Sequence, residues 1–360
     1  MKYWLLIPAI LCCSFPAAAD DVAADFATVY STIATEHINP VEVEKVAISG
    51  LRGLKQVDGN LTFADGSNNV LLYYRGKQIG LWRKPKNVND AKGWGKIAAA
   101  AVTQALKISP QAREHDNVIE ETVLNASAQS LNDNSRYYME NRTSEHGDNN
   151  AFAYRRFGNA LYFKIGSFDK DTATKLAGQL QNQAADTPVI IDLRGNQGGL
   201  IGEAIEVARL FIDGGIIVSV KGKKTKYYTA ADLNEDSSRR LAVLIDEQTA
   251  SSAEMLAAAL QEQAQALLIG TRSFGKGSVQ ELYHFDNGGR LALTTAYFFT
   301  PSGQSLDKQG LKPDYCTAGA PADLSEPATK DYKTADCERE SRIGNTTDIN
   351  LALQLLQELD

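Results

Sequence analysis

Cysteine, histidine, methionine and tryptophan are all scarce: the 360 residues hold 4 Cys, 4 His, 3 Met and 3 Trp. His37, His115, His146 and His284 are scattered without metal-ligand spacing, and there is no Cys-x-x-Cys pair, so neither zinc chemistry nor another metal cofactor is expected. A basic stripe is also missing. Lys and Arg number 37 against 44 Asp and Glu, a formal charge of −7 spread along the chain, which argues against nucleic acid as a partner. No internal repeat of about 20–50 residues stands out, which excludes solenoids and propellers. What is present, 43% apolar and 22% charged residues, is the composition of a globular chain long enough for two units.

The longest apolar run lies at the start. Lys2 is followed by the uncharged stretch Trp4–Phe15, then by Ala17-Ala18-Ala19 just before Asp20. About twelve residues are too few for a bilayer span, which needs about 20, and small residues before Asp20 suit a signal peptidase. Residues 1–19 therefore read as a signal peptide of an exported protein, periplasmic or secreted after cleavage near Ala19, with no membrane association expected. Beyond the leader only Cys316 and Cys337 remain. An isolated pair in an oxidising compartment reads as a disulfide, and closing a loop of that length stabilises by about 3 kcal/mol.

Along the mature chain, Asp20–Val57 carries apolar residues at helical steps. Asn60–Arg83 switches to short alternating runs punctuated by Asp65-Gly66 and Arg75-Gly76, which predicts a small antiparallel sheet. Helical periodicity returns at Trp94–Leu106 and Val118–Leu131. The polar stretch Glu140–Asn150 marks a domain boundary. Thereafter strands (161–165, 188–193, 216–220, 241–245, 266–270) alternate with helices (171–185, 201–212, 252–264), and Arg290–Thr300 closes the series. Such βα alternation predicts an α/β sheet with helices on its faces and sites at the strand ends. The expected divisions are residues 20–150, 151–315 and a tail, 316–360.

Three strand-end segments could carry chemistry: Asp192-Leu-Arg-Gly-Asn-Gln-Gly-Gly199, Thr249-Ala-Ser-Ser-Ala-Glu254 and Phe274-Gly-Lys-Gly-Ser-Val-Gln280. Each has a plain structural reading. The first is a Gly-rich turn, the second a Ser251-x-x-Glu254 capping box, and the third a β-turn with a solvated lysine. Gly270-x-x-x-x-Gly275-Lys276 nearly spells a phosphate-binding loop, but Gly277 stands where Ser or Thr must hold magnesium, and a strand rather than a helix follows. No nucleotide is expected. A histidine-based triad fits poorly, because there is no Gly-x-Ser-x-Gly elbow and His284 is the only histidine after Ala151.

Taken together, the three segments resemble the carboxyl-terminal processing (tail-specific) serine peptidases. The resemblance covers roughly Tyr162–Tyr315, through D-L-R-x-N-x-G-G, A-S-x-x-E and F-G-K-G-x-V-Q in the family order. Thr300-Pro-Ser-Gly-Gln-Ser with Gly310-Leu-Lys-Pro-Asp314 looks like the family's closing signature, and Asp348-Ile-Asn-Leu-Ala-Leu like its final helix. Leu131-Asn-Asp-Asn-Ser-Arg-Tyr137 is similar to a degraded Leu-Asp-Pro-His-Ser element.

The resemblance implies a ClpP/crotonase-like α/β fold and a serine endopeptidase without cofactor. Ser251 matches the nucleophile and Lys276 the base, at the interval of the family's dyad. Gln280 matches the residue that orients the lysine. Ser252 and the Gly198-Gly199 turn match the sources of the oxyanion-binding N–H groups. The chemistry suits these types: a serine hydroxyl needs a neighbouring base, and lysine serves only when neutral, about 3 units below its free pKa of ~10.4. Burial away from carboxylates supplies such a shift, and Phe274–Val279 contains no acidic residue. One departure stands out. Between Tyr138 and Phe157 there is no room for the PDZ domain that most members insert, so recognition of a free C-terminus is left open, whereas cleavage of protein or peptide substrates is expected. The alternative from another class is a non-catalytic ligand- or protein-binding module on the same fold.

Overall fold

The computed structural model describes residues 17–139, 152–230, 239–327, 332–333 and 336–358. The leader up to residue 16 and the boundary stretch at 140–150 lie outside them. Two compact units result. One is built from the chain up to Ser144 together with Gln280–Thr294, the other from the chain from Glu145 onward without that segment.

In the first unit, helices α1 (Ala17–Glu36), α2 (Val43–Arg52) and α3 (Leu54–Val57) precede strands β1 (Leu61–Asp65), β2 (Asn69–Tyr74) and β3 (Lys77–Arg83), which form an antiparallel sheet in that order. Arg75 and Gly76, both at positive φ (50° and 74°), make the tight turn between β2 and β3. Next come α4 (Ala91–Ile108), α5 (Pro110–Glu114), α6 (Ile119–Gln129) and β4 (Arg136–Met139). Helix α4 lies close on α1 because Gly95 has no side chain; a Cβ there would stand 2.5 Å from the Ala23 carbonyl. Phe26, Tyr30, Ile33, Leu51 and Trp94 fill the core.

The second unit begins with β5 (Phe152–Phe157), β6 (Ala160–Ile165), α7 (Thr172–Leu180), β7 (Val189–Asp192), α8 (Ile201–Arg209), β8 (Gly215–Lys221), β9 (Thr225–Ala230), β10 (Leu241–Ile245), α9 (Ser252–Ala264) and β11 (Leu267–Gly270). Strands β12 (Ser278–His284) and β13 (Gly289–Phe299) follow, and β14 (Tyr315–Cys316) and α10 (Thr346–Glu358) end the described chain. One six-stranded sheet has the order β14-β11-β10-β7-β6-β5, parallel except for the edge strand β5. Its side chains alternate between two cores, as strand geometry requires. Phe163, Ile191 and Val243 face α7, α8 and α9, whereas Tyr162, Ile190 and Leu244 face α10. Strands β7 and β10 are buried along their whole length, which is why they read as unbroken apolar runs.

The strands do not all join one sheet. Strands β8, β9, β12 and β13 make a second sheet, order β12-β13-β8-β9, with β4 on β13. Burial along β13 largely alternates between buried and half-buried residues, the mark of an antiparallel strand covered on one face. Its first half, Gly289–Ala292, pairs with Arg136–Met139 and places Leu291 and Leu293 in the core of the first unit. This pairing is why Gln280–Thr294, expected within 151–315, belongs to the first unit instead. The helix expected over 171–185 is shorter, ending at Leu180.

Because β7, β10 and β11 run parallel, the loops that follow them leave from the same end of the sheet. Gly198, Gly199, Ser251, Ser252 and Lys276 all lie on those loops or on the first turn of α9.

Candidate active site

The loop after β10 turns sharply into α9, and Ser251 occupies the turn at φ 58° and ψ −124°. A non-glycine residue there carries strain of about 1–3 kcal/mol, which must be held by its surroundings. Two contacts hold it. The Ala250 N–H donates to the Asn196 carbonyl (2.9 Å), and the Ser251 N–H donates to Oε2 of Glu254 (3.0 Å). The second is the backbone half of a capping box, so the plain reading of Ser251-x-x-Glu254 is physically present alongside the functional one. Ser251 is half-buried at the N-terminus of a thirteen-residue helix whose first N–H groups and dipole favour negative charge.

Glu254 does more than cap. It is fully buried, and four donors converge on it: Ser273 Oγ–H (2.5 Å) and Gly275 N–H (2.7 Å) on Oε1, and the N–H groups of Lys276 (2.8 Å) and Ser251 (3.0 Å) on Oε2. Burial pushes its carboxyl above the ordinary range, and the four donors only partly offset this. The lysine loop thus hangs on a carboxylate of α9. Sequence reading had placed no acid near Lys276, because the acid comes from another element and its charge is spread over four hydrogen bonds. Lys276 itself is half-buried between Gly275, at φ 88°, and Gly277, where a Cβ would stand 2.6 Å from the Asp307 nitrogen.

The Gly198-Gly199 turn lies against the same point. A Cβ on Gly198 would stand 3.0 Å from Ser251 Cβ and 3.1 Å from Ser252 Oγ, and one on Gly199 would meet the Phe168 carbonyl oxygen at 2.4 Å. Both glycines have positive φ, 107° and 140°. The turn is pinned by the Phe168 N–H to Gly198 O (3.0 Å) and the Leu200 N–H to Phe168 O (2.8 Å). The Gly198 N–H is already committed to Asn196 Oδ1 (2.7 Å), while among the described residues nothing accepts from the Gly199 N–H. Ser252 is buried, and its hydroxyl donates to the Gly199 carbonyl (3.4 Å).

Gln280 lies in the first unit, where its Nε2 donates to Thr294 Oγ1 (3.4 Å). Thr294 in turn donates to Asn132 Oδ1 (3.2 Å) and its N–H to Ser135 Oγ (3.2 Å). Asn132 and Ser135 come from the segment matched to the degraded Leu-Asp-Pro-His-Ser element. Cys316 and Cys337 are joined as a disulfide.

Sequence reading missed what supports the loops. Asp192, at the end of β7, accepts from Tyr162 Oη (2.7 Å), Lys164 Nζ (3.2 Å) and three nitrogens of Arg194. Burial pushes this carboxyl up, but the Arg194 guanidinium, helped by Lys164 and Tyr162, more than reverses that and holds it below the usual carboxylate range. Burial lowers the Lys164 amine, against the opposing pull of Asp192. Arg194 reaches Asp348 Oδ2 (3.0 Å), and Asp348 Oδ1 takes Arg342 (3.1 Å). The D-L-R motif and Asp348 were both visible in the sequence, but nothing there paired them.

Residues 159–317 match the model of peptidase family S41. A carboxyl-terminal-processing protease of Picosynechococcus sp. is 34% identical over 188 residues, 49% of this chain and 45% of its own length. The carboxy-terminal processing protease CtpA of Bacillus subtilis is 36% identical over 201 residues, 54% of this chain and 42% of its own length. The matches therefore span less than half the length of these relatives. Among solved structures, a lipoprotein from Streptococcus agalactiae is similar with a TM-score of 0.53 at 15% identity, covering 87% of this chain and 94% of that one, a likeness of fold alone. Over residues 159–317 the chain is thus similar to peptidase family S41, and the relatives it matches are named carboxyl-terminal processing proteases.

Proposed function

We propose that the chain is a serine endopeptidase of ClpP/crotonase-like fold that cleaves protein or peptide substrates through Ser251 and Lys276, without metal, nucleotide or other cofactor. The observation that carries this reading is the single Glu254 oxygen that accepts from both the Ser251 and the Lys276 N–H, since it ties the nucleophile's turn to the base's loop through a buried, fully occupied acceptor.

In the reaction, neutral Lys276 takes the proton of Ser251 as Oγ attacks the scissile carbonyl carbon. The negative charge that develops on the carbonyl oxygen is received by N–H groups. Gly199 is the better of the two glycine candidates, because the Gly198 N–H is occupied by Asn196. The N–H of Ser252, on the first turn of α9, is the second donor. Lys276 then gives its proton to the leaving amine, the C–N bond breaks, and an acyl ester on Ser251 remains. Water, deprotonated by the same amine, attacks the ester; Ser251 leaves with the proton and the new carboxyl end is released. Gln280 orients the lysine in this scheme, and Thr294 holds its amide. The Cys316–Cys337 bond suits an oxidising compartment, in line with export. With residues 140–151 alone between β4 and β5, substrate capture does not depend on an inserted PDZ domain.

Labelling with a fluorophosphonate probe tests the reading. Wild-type protein is expected to be labelled at Ser251, and Ser251→Ala to lose the label while keeping its fold. Equal labelling of both would overturn the assignment.

A further inference from the structure

Between Cys337 and α10 the chain makes no regular structure, yet it touches all three loops of the candidate site. On the lysine loop, Thr271 Oγ1 donates to the Glu340 carbonyl (2.6 Å) and the Arg272 N–H to the Glu338 carbonyl (3.3 Å). In return, Arg339 donates to the carbonyls of Ser273 (3.0 Å) and Phe274 (3.3 Å), just ahead of Lys276. On the loop leading to Ser251, the Glu247 N–H donates to the Glu340 carbonyl (3.4 Å) and the Arg342 N–H to Asp246 Oδ2 (3.1 Å). On the glycine loop, Arg194 donates to the carbonyls of Arg342 (2.9 Å) and Asn345 (2.6 Å). Asp246 closes the set by accepting from the Gly195 N–H (2.9 Å).

These bonds are mostly to backbone atoms, so their geometry depends on where the segment lies rather than on which side chains it carries. Two anchors fix that place. At one end Cys337 is bonded to Cys316, which pairs with Gly270 at the last turn of β11, directly before the lysine loop. At the other end Asp348 is buried between Arg194 and Arg342.

We propose that residues 337–345 are a positioning strap that holds the three loops in mutual register, and that the Cys316–Cys337 disulfide keeps it seated, so that catalysis depends on the oxidation state of this bond. Arg339 is its positioning residue for the lysine loop. The proposal rests on the serine-peptidase reading above. Reduction by a dithiol breaks the S–S bond, and two electrons and two protons from the reductant yield two thiols while the reductant closes to its own disulfide. The strap then keeps its inner anchor at Asp348 but loses the one beside the lysine loop. Displacement of catalytic groups by about 1 Å is enough to cost up to about a hundredfold in rate.

The test compares oxidised protein, protein reduced with dithiothreitol, and the Cys316→Ala/Cys337→Ala double variant. All are assayed well below their unfolding temperatures, with circular dichroism to verify folding. The readouts are the rate of fluorophosphonate labelling and kcat and KM on a quenched fluorescent casein. Reduced protein and the double variant should label at least about tenfold more slowly, in kcat more than in KM, and reoxidation should restore the reduced sample. Hydrogen exchange should quicken at residues 194–199, 246–250 and 271–276 and stay unchanged in β7 and β10. Arg339 is exposed and its loss should not unfold the chain: Arg339→Ala should slow labelling and Arg339→Lys should restore most of it. Folded reduced protein that labels at the oxidised rate, with unchanged exchange in the three loops, overturns the strap. The serine-peptidase reading fails separately, if oxidised wild type does not label at Ser251.

Discussion

Ser251 and Lys276 donate their backbone N–H groups to one and the same oxygen, Oε2 of Glu254, at 3.0 and 2.8 Å. Two residues on different loops are thereby set against a single buried point. Neither loop can shift without leaving a buried donor unpaired, which costs about 1–3 kcal/mol. A strained turn at Ser251 and a glycine-rich loop around Lys276 are the kind of backbone that needs such a clamp.

Replacing the proposed base tests its charge requirement. Lys276→Ala should lower the rate of fluorophosphonate labelling and casein cleavage at least about a thousandfold. Lys276→Arg should be no better, since a guanidinium stays protonated and cannot accept the serine proton. Cleavage by the Arg variant within tenfold of wild type would remove Lys276 from the role of base.

Glu254→Gln keeps the shape of the clamp and turns an NH2 group toward one pair of its donors. We expect it to lose about 1–3 kcal/mol at low pH and to label at least about tenfold more slowly. The pH dependence has a definite sign. The folded-state carboxyl titrates above its ordinary value because of burial, so ionising it weakens the fold. As pH rises from the ordinary glutamate value through the folded one, wild type loses stability that the Gln variant keeps. Urea unfolding from about pH 4 to about pH 8 should show the gap between the two narrowing. A constant gap would mean that the Glu254 carboxyl titrates alike in the folded and unfolded protein, and would contradict the shift.

The two glycines should fail in different ways. Gly199→Ala meets the Phe168 backbone as well as an unfavourable φ, so it should destabilise the unit by more than the ~1–3 kcal/mol of backbone strain alone. Gly198→Ala presses on the side chains of Ser251 and Ser252, and should cost more in labelling rate than in stability. Thermal unfolding beside probe kinetics separates them. The reverse order of effects would argue against Gly198 as the neighbour of the nucleophile.

Asp348→Asn leaves Arg194 and Arg342 short of a buried countercharge and should destabilise by about 3–5 kcal/mol. Asp192→Asn should do the same and also alter the acid limb. The Asp192 carboxyl titrates below its ordinary value when folded, so its contribution is present above that ordinary value and is lost as pH falls through the folded one. Wild type should therefore lose stability more steeply than Asp192→Asn on acidification. Parallel acid-denaturation curves would contradict the pairing.

Much of the architecture was legible because burial leaves a periodic trace. Residues 188–193 and 241–245 read as strands, 252–264 as a helix, and Arg75-Gly76 as a turn in a small antiparallel sheet. Strands β5 and β9 were missed. Phe152–Phe157 and Thr225–Ala230 are exposed for much of their length and carry arginine or lysine, so neither shows a clear alternation. Glu254 was legible only as a cap, since its other three donors come from Ser273, Gly275 and Lys276.

Local sequence determined which residues were candidates. A hydroxyl opening a helix, a lysine between glycines and a glycine pair after a buried strand are fixed by short-range sterics and hydrogen bonding, and short-range information is written in consecutive residues. Only the folded chain decided what holds them: that Glu254 joins two loops, that Gly198 has spent its N–H on Asn196, and that Asp348 pairs with Arg194 from 154 positions away. Buried charges and unpaired donors are costly wherever they occur, so their partners must be found in space, and a linear string of residues carries no record of that distance.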